Sequence, residues 1–365
     1  MGKDHFIIPI FVPHYGCPHD CVFCNQRRIT GLSTDITPQY VRNTIESHSS
    51  TFPKGEITVE VAFYGGSFTG IEKEIQKELL AVPLEYKDRG IIDGIRLSTR
   101  PDYIDEDILN LLKEYKVDTI ELGVQSLDDI VLNKSGRGHN SQQVYMASKL
   151  VKEYKFNLGL QMMVGLVGDS KEKAIYTAKE FVKIDPFCVR VYPTLVIRDT
   201  YLEKKYRNNT YKPLTLEKAI DITAHLLMIF EYYNIDVIRV GLQPTENLRL
   251  GKDVVAGPFH PSFRQLVESH IYKIILEKHL DRLTKVIVDE NMIIEVNNKN
   301  VSNLVGQKSC NTRYLVNRYG LKTIKVYGRD MEKDTIGISI DGFNDRVYRK
   351  RTIEEYLQEK GIIRI

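Results

Sequence analysis

Three cysteines, Cys17, Cys21 and Cys24, stand within His14–Gln26 at the spacing C-x3-C-x2-C. Thiolates this close in sequence either converge on one centre or sit as a cluster of free thiols. A structural zinc or a closed iron–sulfur site needs a fourth ligand. The other cysteines, Cys188 and Cys310, are far away in the chain. Three protein ligands leave one metal position open, and an open position is where chemistry happens. On a 4Fe–4S cluster, one iron would then be available to a substrate or cofactor. The alternative is a zinc site completed by His14 or His19, without catalysis.

The elements that position such a centre are legible in the hydrophobic pattern. Strand-length apolar runs occupy Phe6–Val12, Ile57–Tyr64, Gly94–Ser98, Thr119–Val124, Asn157–Val164 and Cys188–Leu195. Helical patterns lie between them at Pro38–Ser47, Ile71–Leu84, Asp105–Tyr115, Ser141–Tyr154 and Lys171–Ile184. Near-continuous apolar strands separated by helices predict a parallel sheet covered by helices. The expected fold class is α/β, a partial (β/α)6 TIM-like barrel with a small C-terminal α+β domain. The cysteine loop follows the first strand, where a doubly wound sheet would carry a glycine-rich phosphate loop.

In such barrels the working residues stand at the C-terminal ends of the strands. The second strand ends in Tyr64-Gly65-Gly66-Ser67-Phe68, and paired glycines let backbone approach a ligand closely. The third leads into Ser98-Thr99-Arg100-Pro101-Asp102. The fourth carries Glu121-Leu122-Gly123-Val124-Gln125-Ser126, the fifth Gln161-Met162-Met163 and the sixth Arg190-Val191-Tyr192-Pro193-Thr194. Arg137-Gly138-His139 is either an ordinary loop or one that reaches the pocket.

The chain has 365 residues, 42% hydrophobic and 27% charged, the composition of a soluble globular protein. No apolar run is long enough to span a bilayer. The apolar N-terminal stretch reads as a first strand and not as a leader, because cleavage would remove the cysteine loop. Few, clustered cysteines fit a reducing cytoplasm. A net charge of +3 neither demands nor excludes nucleic acid. The basic runs Lys204–Arg207 and Arg346–Arg351 read as solvated faces, with nucleic-acid contact as the alternative.

After Thr200 the pattern changes. A helix is expected over Leu216–Tyr233, a strand over Val237–Val240, a loop over the active face at Gly241–Pro261 and a helix over His270–Leu280. Short segments follow at Lys285–Val288, Met292–Val296, Asn311–Tyr319, Thr323–Val326 and Thr335–Ile340. This divides the chain into a core at 1–280 and a small α+β domain at 281–365.

Phe23 precedes the third cysteine, and C-x3-C-x-Φ-C resembles the signature of the radical S-adenosylmethionine (SAM) superfamily. That resemblance implies a 4Fe–4S cluster on Cys17, Cys21 and Cys24, with SAM on the open iron. Cleavage of SAM would give a 5′-deoxyadenosyl radical that takes hydrogen from a substrate. An external low-potential donor, ferredoxin or flavodoxin, would supply the electron. The region Gly65, Gly66 and Ser67 would bind the SAM amino group.

More specifically, STRPDYID (Ser98–Asp105), IELGVQSLDD (Ile120–Asp129), SGRGH (Ser135–His139) and YPTLVIRDT (Tyr192–Thr200) resemble the radical SAM domain of the Elongator catalytic subunit family. Gln161, Arg190, Tyr192 and the Gly241–Pro261 loop are expected to hold the substrate, and the match implies further SAM contacts near Arg100, Gln125 and Arg137. It also makes tRNA or another RNA the first substrate expectation, ahead of a small metabolite or a tetrapyrrole. The family's coenzyme A loop, Gln/Arg-x-x-Gly-x-Gly/Ala, is not found in Asp281–Ile365. Arg190 stands where the family usually has lysine, and a guanidinium cannot serve as a base. The resemblance therefore carries the radical chemistry rather than acetyl transfer. The rival from another class is a zinc-bound RNA-binding module without catalysis.

Overall fold

The computed structural model describes residues 5–12, 21–25, 36–53, 55–242, 248–283 and 289–363. Cys17, His14, His19 and the expected strand Lys285–Val288 lie outside the described residues.

The chain forms two units, Met1–Thr215 with Asp236–Phe259, and Leu216–Ile235 with His260–Ile365. The sequence reading counts Leu216–Leu280 with the first domain; here most of that stretch groups with the C-terminal residues.

In the first unit the strands are β1 (His5–Val12), β2 (Thr58–Gly65), β3 (Gly94–Thr99), β4 (Thr119–Gln125), β5 (Asn157–Val164), β6 (Cys188–Pro193), β7 (Val196–Ile197), β8 (Asp236–Val240) and β9 (Val254–Ala256). The helices are α1 (Pro38–Ser49), α2 (Lys73–Asp88), α3 (Glu106–Glu114), α4 (Asp129–Lys134), α5 (Ser141–Glu153), α6 (Lys171–Ile184) and α7 (Tyr201–Arg207). The main sheet runs β1-β2-β3-β4-β5-β6-β8, all parallel. The six expected strands are present, and β8 adds a seventh. Among the described residues β8 does not pair with β1, so the barrel stays open. The expected loop at 241–261 is not wholly irregular, because β9 within it pairs antiparallel with β7.

Local chemistry sets the helix starts. Asp105, Asp128 and Ser170 each accept the backbone N–H three residues on, and Asn140 with Gln143 forms a reciprocal cap. Along the strands one parity is apolar and buried, as in Val61 and Phe63, Ile95 and Leu97, Ile120 and Leu122, Leu158 and Leu160, Val189 and Val191. The other parity carries Glu60 and Tyr64, Arg96, Glu121, Gln161 and Arg190, whose side chains bond one another. The sheet is curled: β2 and β6 are four neighbours apart, roughly 19 Å if flat at the usual strand spacing. Yet the Arg190 guanidinium stacks over the Tyr64 ring at 4.7 Å from its centroid. The polar parity is therefore the concave face.

The second unit contains α8 (Leu216–Tyr232), α9 (Phe263–Leu280), β10 (Asn291–Asn297), α10 (Val301–Val305), α11 (Cys310–Tyr319), β11 (Thr323–Arg329), β12 (Thr335–Ile340), β13 (Phe343–Tyr348) and α12 (Arg349–Glu359). Its sheet runs β11-β10-β12-β13. Met292, Ile294, Val296, Ile336, Ile338, Ile340 and Val347 form its buried face. The solvated-face reading of Arg346–Arg351 needs correcting at Arg349. That side chain is buried and forks onto Glu231 at 2.7 and 2.8 Å, with Glu268 at 2.9 Å. In the other basic run, Arg207 pairs with Glu203 one turn earlier on α7 at 2.6 Å.

Candidate active site

The described part of the cysteine loop is held from both sides. The Val22 N–H donates to the Ser135 carbonyl at 3.0 Å, and the Val22 carbonyl accepts from Leu202 N–H at 2.6 Å. Cys24 N–H closes a turn on the Cys21 carbonyl at 3.0 Å. Cys21 is buried and Cys24 half-buried.

Two arginines meet at the Cys21 sulfur. Arg137 Nη1 lies 3.2 Å from it and Arg100 Nη1 3.9 Å. Pro101 biases Arg100 to extended backbone, observed at φ −89°, ψ 149°. From there Arg100 reaches Asp102 through Nε and Nη2, both at 2.9 Å, and its Nη2 also donates to the Arg137 carbonyl. Arg137 is flanked by Gly136 and Gly138, both in the left-handed region at φ 65° and 75°. These glycines turn the chain after α4 so that Arg137 donates to the Gly123 carbonyl on β4. Its Nε is buried without a hydrogen-bond partner among the described residues. Burial raises the Asp102 carboxyl, but the Arg100 fork overcomes this and holds it below its ordinary range.

His139 is buried against the Val124 carbonyl at 3.3 Å. Burial, followed by the neighbouring Arg137 charge, pushes its imidazole down to about 3. The ring is therefore neutral at ordinary pH, and its 3.9 Å approach to Asp102 is not an ion pair. In the Arg137–His139 loop, Arg137 faces the Cys21 sulfur and His139 the Val124 carbonyl.

Deeper on the concave face is a network centred on Glu121, which is 1% exposed. Its Oε1 accepts from Arg96 Nη1 and Arg190 Nη2, each at 2.9 Å. Its Oε2 accepts from Gln161 Nε2 at 3.1 Å and lies 2.5 Å from Arg190 Nε. Arg96 Nη2 continues to Glu60 Oε2 at 2.6 Å, which His5 also contacts at 2.8 Å. Arg190 Nη2 donates to the Tyr64 hydroxyl. Burial raises the Glu121 carboxyl, yet Arg190 and then Arg96 hold it below the usual range. Burial pushes the phenols of Tyr64 and Tyr192 up, so both are neutral.

Two glycines make room for this network. A Cβ on Gly159 would stand 2.7 Å from Glu121 Cγ, and one on Gly94 would stand 3.2 Å from Glu60 Cγ. Nearer the strand ends, Gln125 is a non-glycine at φ 70°, beside the bulge between β4 and β5. Gly65 ends β2 at φ 107°, and Gly66 N–H bonds the Val12 carbonyl at 3.2 Å. Ser67 is buried behind them.

The expected site residues thus fall into two groups. Cys21, Arg100, Arg137, Gln125, Gly65, Gly66 and Ser67 lie at or just beyond the C-terminal ends of β1–β4. Gln161, Arg190 and Tyr192 lie on β5 and β6, the first two in the Glu121 network. Sequence reasoning missed Glu60, Arg96 and the central role of Glu121. The available signal was charge inside otherwise apolar strands, at the parity of Tyr64 and Gln161.

The donor chemistry fits an iron–sulfur ligand set. Two cysteines share one turn, and cationic groups face the buried sulfur, a setting that suits an anionic sulfur ligand. Among the described residues no three His, Cys, Asp or Glu groups converge on a metal position. The third cysteine, Cys17, lies outside them.

Comparison with known proteins agrees with this arrangement. The Radical SAM superfamily pattern matches residues 11–181, and the Radical_SAM C-terminal domain matches residues 186–273. An uncharacterized protein of Methanocaldococcus jannaschii is 28% identical over 235 residues, 61% of this chain and 71% of that protein. The tRNA uridine(34) acetyltransferase of Methanocaldococcus infernus is 28% identical over 190 residues, 46% of this chain and 35% of that protein. Elongator complex protein 3 of Saccharomyces cerevisiae is 27% identical over 191 residues, 47% of this chain and 34% of that protein. The chain therefore spans about a third of the length of these two functionally named relatives. The structure of the archaeal Methanocaldococcus infernus Elp3 with an N-terminal deletion superposes with a TM-score of 0.57 at 21% identity. That superposition covers 75% of this chain and 64% of that one, and shows the shared fold. No helix among the described residues is long and apolar enough to cross a membrane. With the cysteine turn, the parallel half-barrel and these matches together, the chain belongs to the radical SAM superfamily of enzymes and is similar in sequence to its Elongator-like members.

Proposed function

We propose that Cys17, Cys21 and Cys24 hold a 4Fe–4S cluster and that SAM binds beside it, for hydrogen abstraction from an RNA substrate. The observation that carries this reading is the buried Cys21 sulfur facing Arg137 and Arg100 at the mouth of a parallel half-barrel. When bound, cluster and SAM together supply reductive cleavage of a sulfonium carbon–sulfur bond and a carbon radical.

The protein's own residues then have distinct tasks. Gly65 and Gly66 offer backbone without side chains, so a small zwitterion approaches closely. Arg100 and Arg137 fix the cysteine turn and present positive charge to it. Gln125 projects from a backbone conformation that non-glycine residues rarely adopt and that persists only when surrounding structure enforces it. Gln161, Arg190 and Tyr192 form the floor and wall against which a substrate would lie. The Glu121 network holds Arg190 rigid and charged, so in this reading Arg190 orients or binds and moves no proton.

RNA as substrate is supported by the name of one relative, a tRNA uridine(34) acetyltransferase. A low-potential donor such as ferredoxin or flavodoxin, and a cytoplasmic location, complete the reading. The test is anaerobic reconstitution with iron and sulfide, followed by dithionite and SAM. Release of 5′-deoxyadenosine supports the chemistry. Colourless, zinc-loaded protein that leaves SAM intact rejects it in favour of the non-catalytic zinc reading.

A further inference from the structure

Neither family pattern extends past residue 273, so the four-stranded sheet of the second unit has no assigned role. Its two faces differ sharply. The inner one is aliphatic and buried along β10 and β12, with Asp345 and Phe343 at its β13 edge. A Cβ on Gly328 of β11 would meet Asn298 and Val301 there, where the chain between β10 and β11 packs on it. The outer face is open except at Thr335, and strand register fixes what stands on it. One row across the sheet reads Lys325, Ile293, Ser339 and Asn344. The next reads Tyr327, Glu295, Gly337 and Arg346. Beyond it Arg329 lies beside Asn297, and Thr335 beside Tyr348.

Tyr327 and Tyr348 are 41% and 44% exposed. Gly337 leaves the centre of its row low, since a Cβ there would meet nothing nearer than Glu295 at 3.6 Å. The charge is one-sided. Lys325, Arg329 and Arg346 are exposed, against one carboxylate, Glu295, which Arg329 already pairs at 2.7 Å. Arg329 also lies 5.5 Å from the centroid of the Tyr327 ring. Among the described residues Ile293 is the only large aliphatic on the face, too little for the apolar centre of a stable protein–protein interface.

We infer that this outer face is a platform for single-stranded RNA, with Tyr327 and Tyr348 stacking unpaired bases and Lys325, Arg329 and Arg346 tracking the phosphates. Open aromatic rings on a sheet bind bases through their π-faces, which a duplex keeps stacked and unavailable. Adjacent strands are ~4.8 Å apart, so the path from Tyr327 to Arg346 is roughly 14 Å, room for two or three nucleotides. The platform needs neither cluster nor SAM. Only the choice of RNA over DNA rests on the RNA-substrate reading.

The test is fluorescence anisotropy of the full chain with labelled oligouridine, oligothymidine and an RNA duplex. Tyr327→Ala should weaken oligouridine binding about tenfold and the double variant with Tyr348→Ala about a hundredfold, while Tyr327→Phe stays near wild type. The slope of log affinity against log salt should be about −2 and shrink by about 0.7 in Arg346→Gln. These positions are exposed, and circular dichroism checks that each variant is folded. Unchanged binding in the folded double variant overturns the platform. Equal affinity for oligothymidine overturns the choice of RNA. A concentration-dependent dimer abolished by the double variant would instead make the face an interface between copies. Because the readout is binding alone, a protein that fails to cleave SAM but binds RNA here separates this inference from the proposed activity.

Discussion

Arg137 reaches from the loop after α4 to place Nη1 3.2 Å from the sulfur of Cys21, while its other terminal nitrogen bonds the Gly123 carbonyl on β4. One guanidinium thus joins the cysteine turn to the sheet. Arg137→Ala should leave the Gly123 carbonyl short of a buried partner, at a cost of about 1–3 kcal/mol. The same variant should retain less iron per chain after reconstitution and gel filtration. Arg137→Lys keeps the charge but not the fork, and should fall between the two. Equal iron and equal stability in all three proteins would mean that the contact is incidental.

Glu121 neutralises two arginines in a site where little water enters. Glu121→Gln leaves an uncompensated buried charge and should destabilise by about 3–5 kcal/mol in urea unfolding. Adding Arg190→Met should recover part of that loss, because Arg96 keeps Glu60 at 2.6 Å while Arg190 loses its carboxylate partner. Additivity of the two single effects would show that they are not coupled.

Gly159 is required by volume. The Cβ of Gly159→Ala would sit 2.7 Å from Glu121 Cγ, so the carboxylate must shift. A loss of about 1–3 kcal/mol is expected. Gly361→Ala, where added volume meets nothing within 4 Å but φ is +64°, reports the backbone cost alone. If Gly159→Ala proves no worse than that control, the packing argument fails.

Buried His139 and half-buried Asp169 make opposite contributions to the pH profile of stability. His139 titrates at about 3 in the folded protein against an ordinary 6.5. The unfolded chain therefore binds the extra proton first, and stability falls from about pH 6.5 towards 3 at roughly 1.4 kcal/mol per unit. Asp169, whose carboxyl burial pushes up to about 6 from 3.8, does the reverse. The folded state holds that proton first, and stability rises as pH falls from about 6 to 3.8. His279, also pushed down by burial, adds to the His139 trend. Wild type minus His139→Gln and wild type minus Asp169→Asn should therefore slope in opposite directions between about pH 6 and 4. Slopes of the same sign would contradict the assigned burial of one of the two.

Much of the barrel was legible because its strands are apolar at one parity throughout and its helices carry clear caps. Lys171–Ile184 and Asn157–Val164 are read at their observed bounds, since Ser170 caps the one and a turn bounds the other. The seventh strand was visible as Val237–Val240, but its parallel pairing with β6 was not, because pairing is a long-range choice. Arg349 misled for a related reason. A basic run looks solvated until tertiary structure supplies partners, here Glu231 and Glu268 from distant helices. The strand Phe343–Tyr348 and helix Arg349–Glu359 lay hidden under that same charged composition. At the site, motif order located Arg100 and Arg137 near one another. It gave no sign that Glu121 would receive Arg96, Arg190 and Gln161 together, because convergence on a curled sheet depends on register.

The measurement closest to the heart of the account is iron and sulfide content, with 5′-deoxyadenosine release from SAM under dithionite, in wild type and in Cys17→Ser, Cys21→Ser and Cys24→Ser. A brown wild-type protein with about four irons per chain that releases the nucleoside is expected, with loss of both in each variant. Intact iron and nucleoside release in any one of the three serine variants would contradict it.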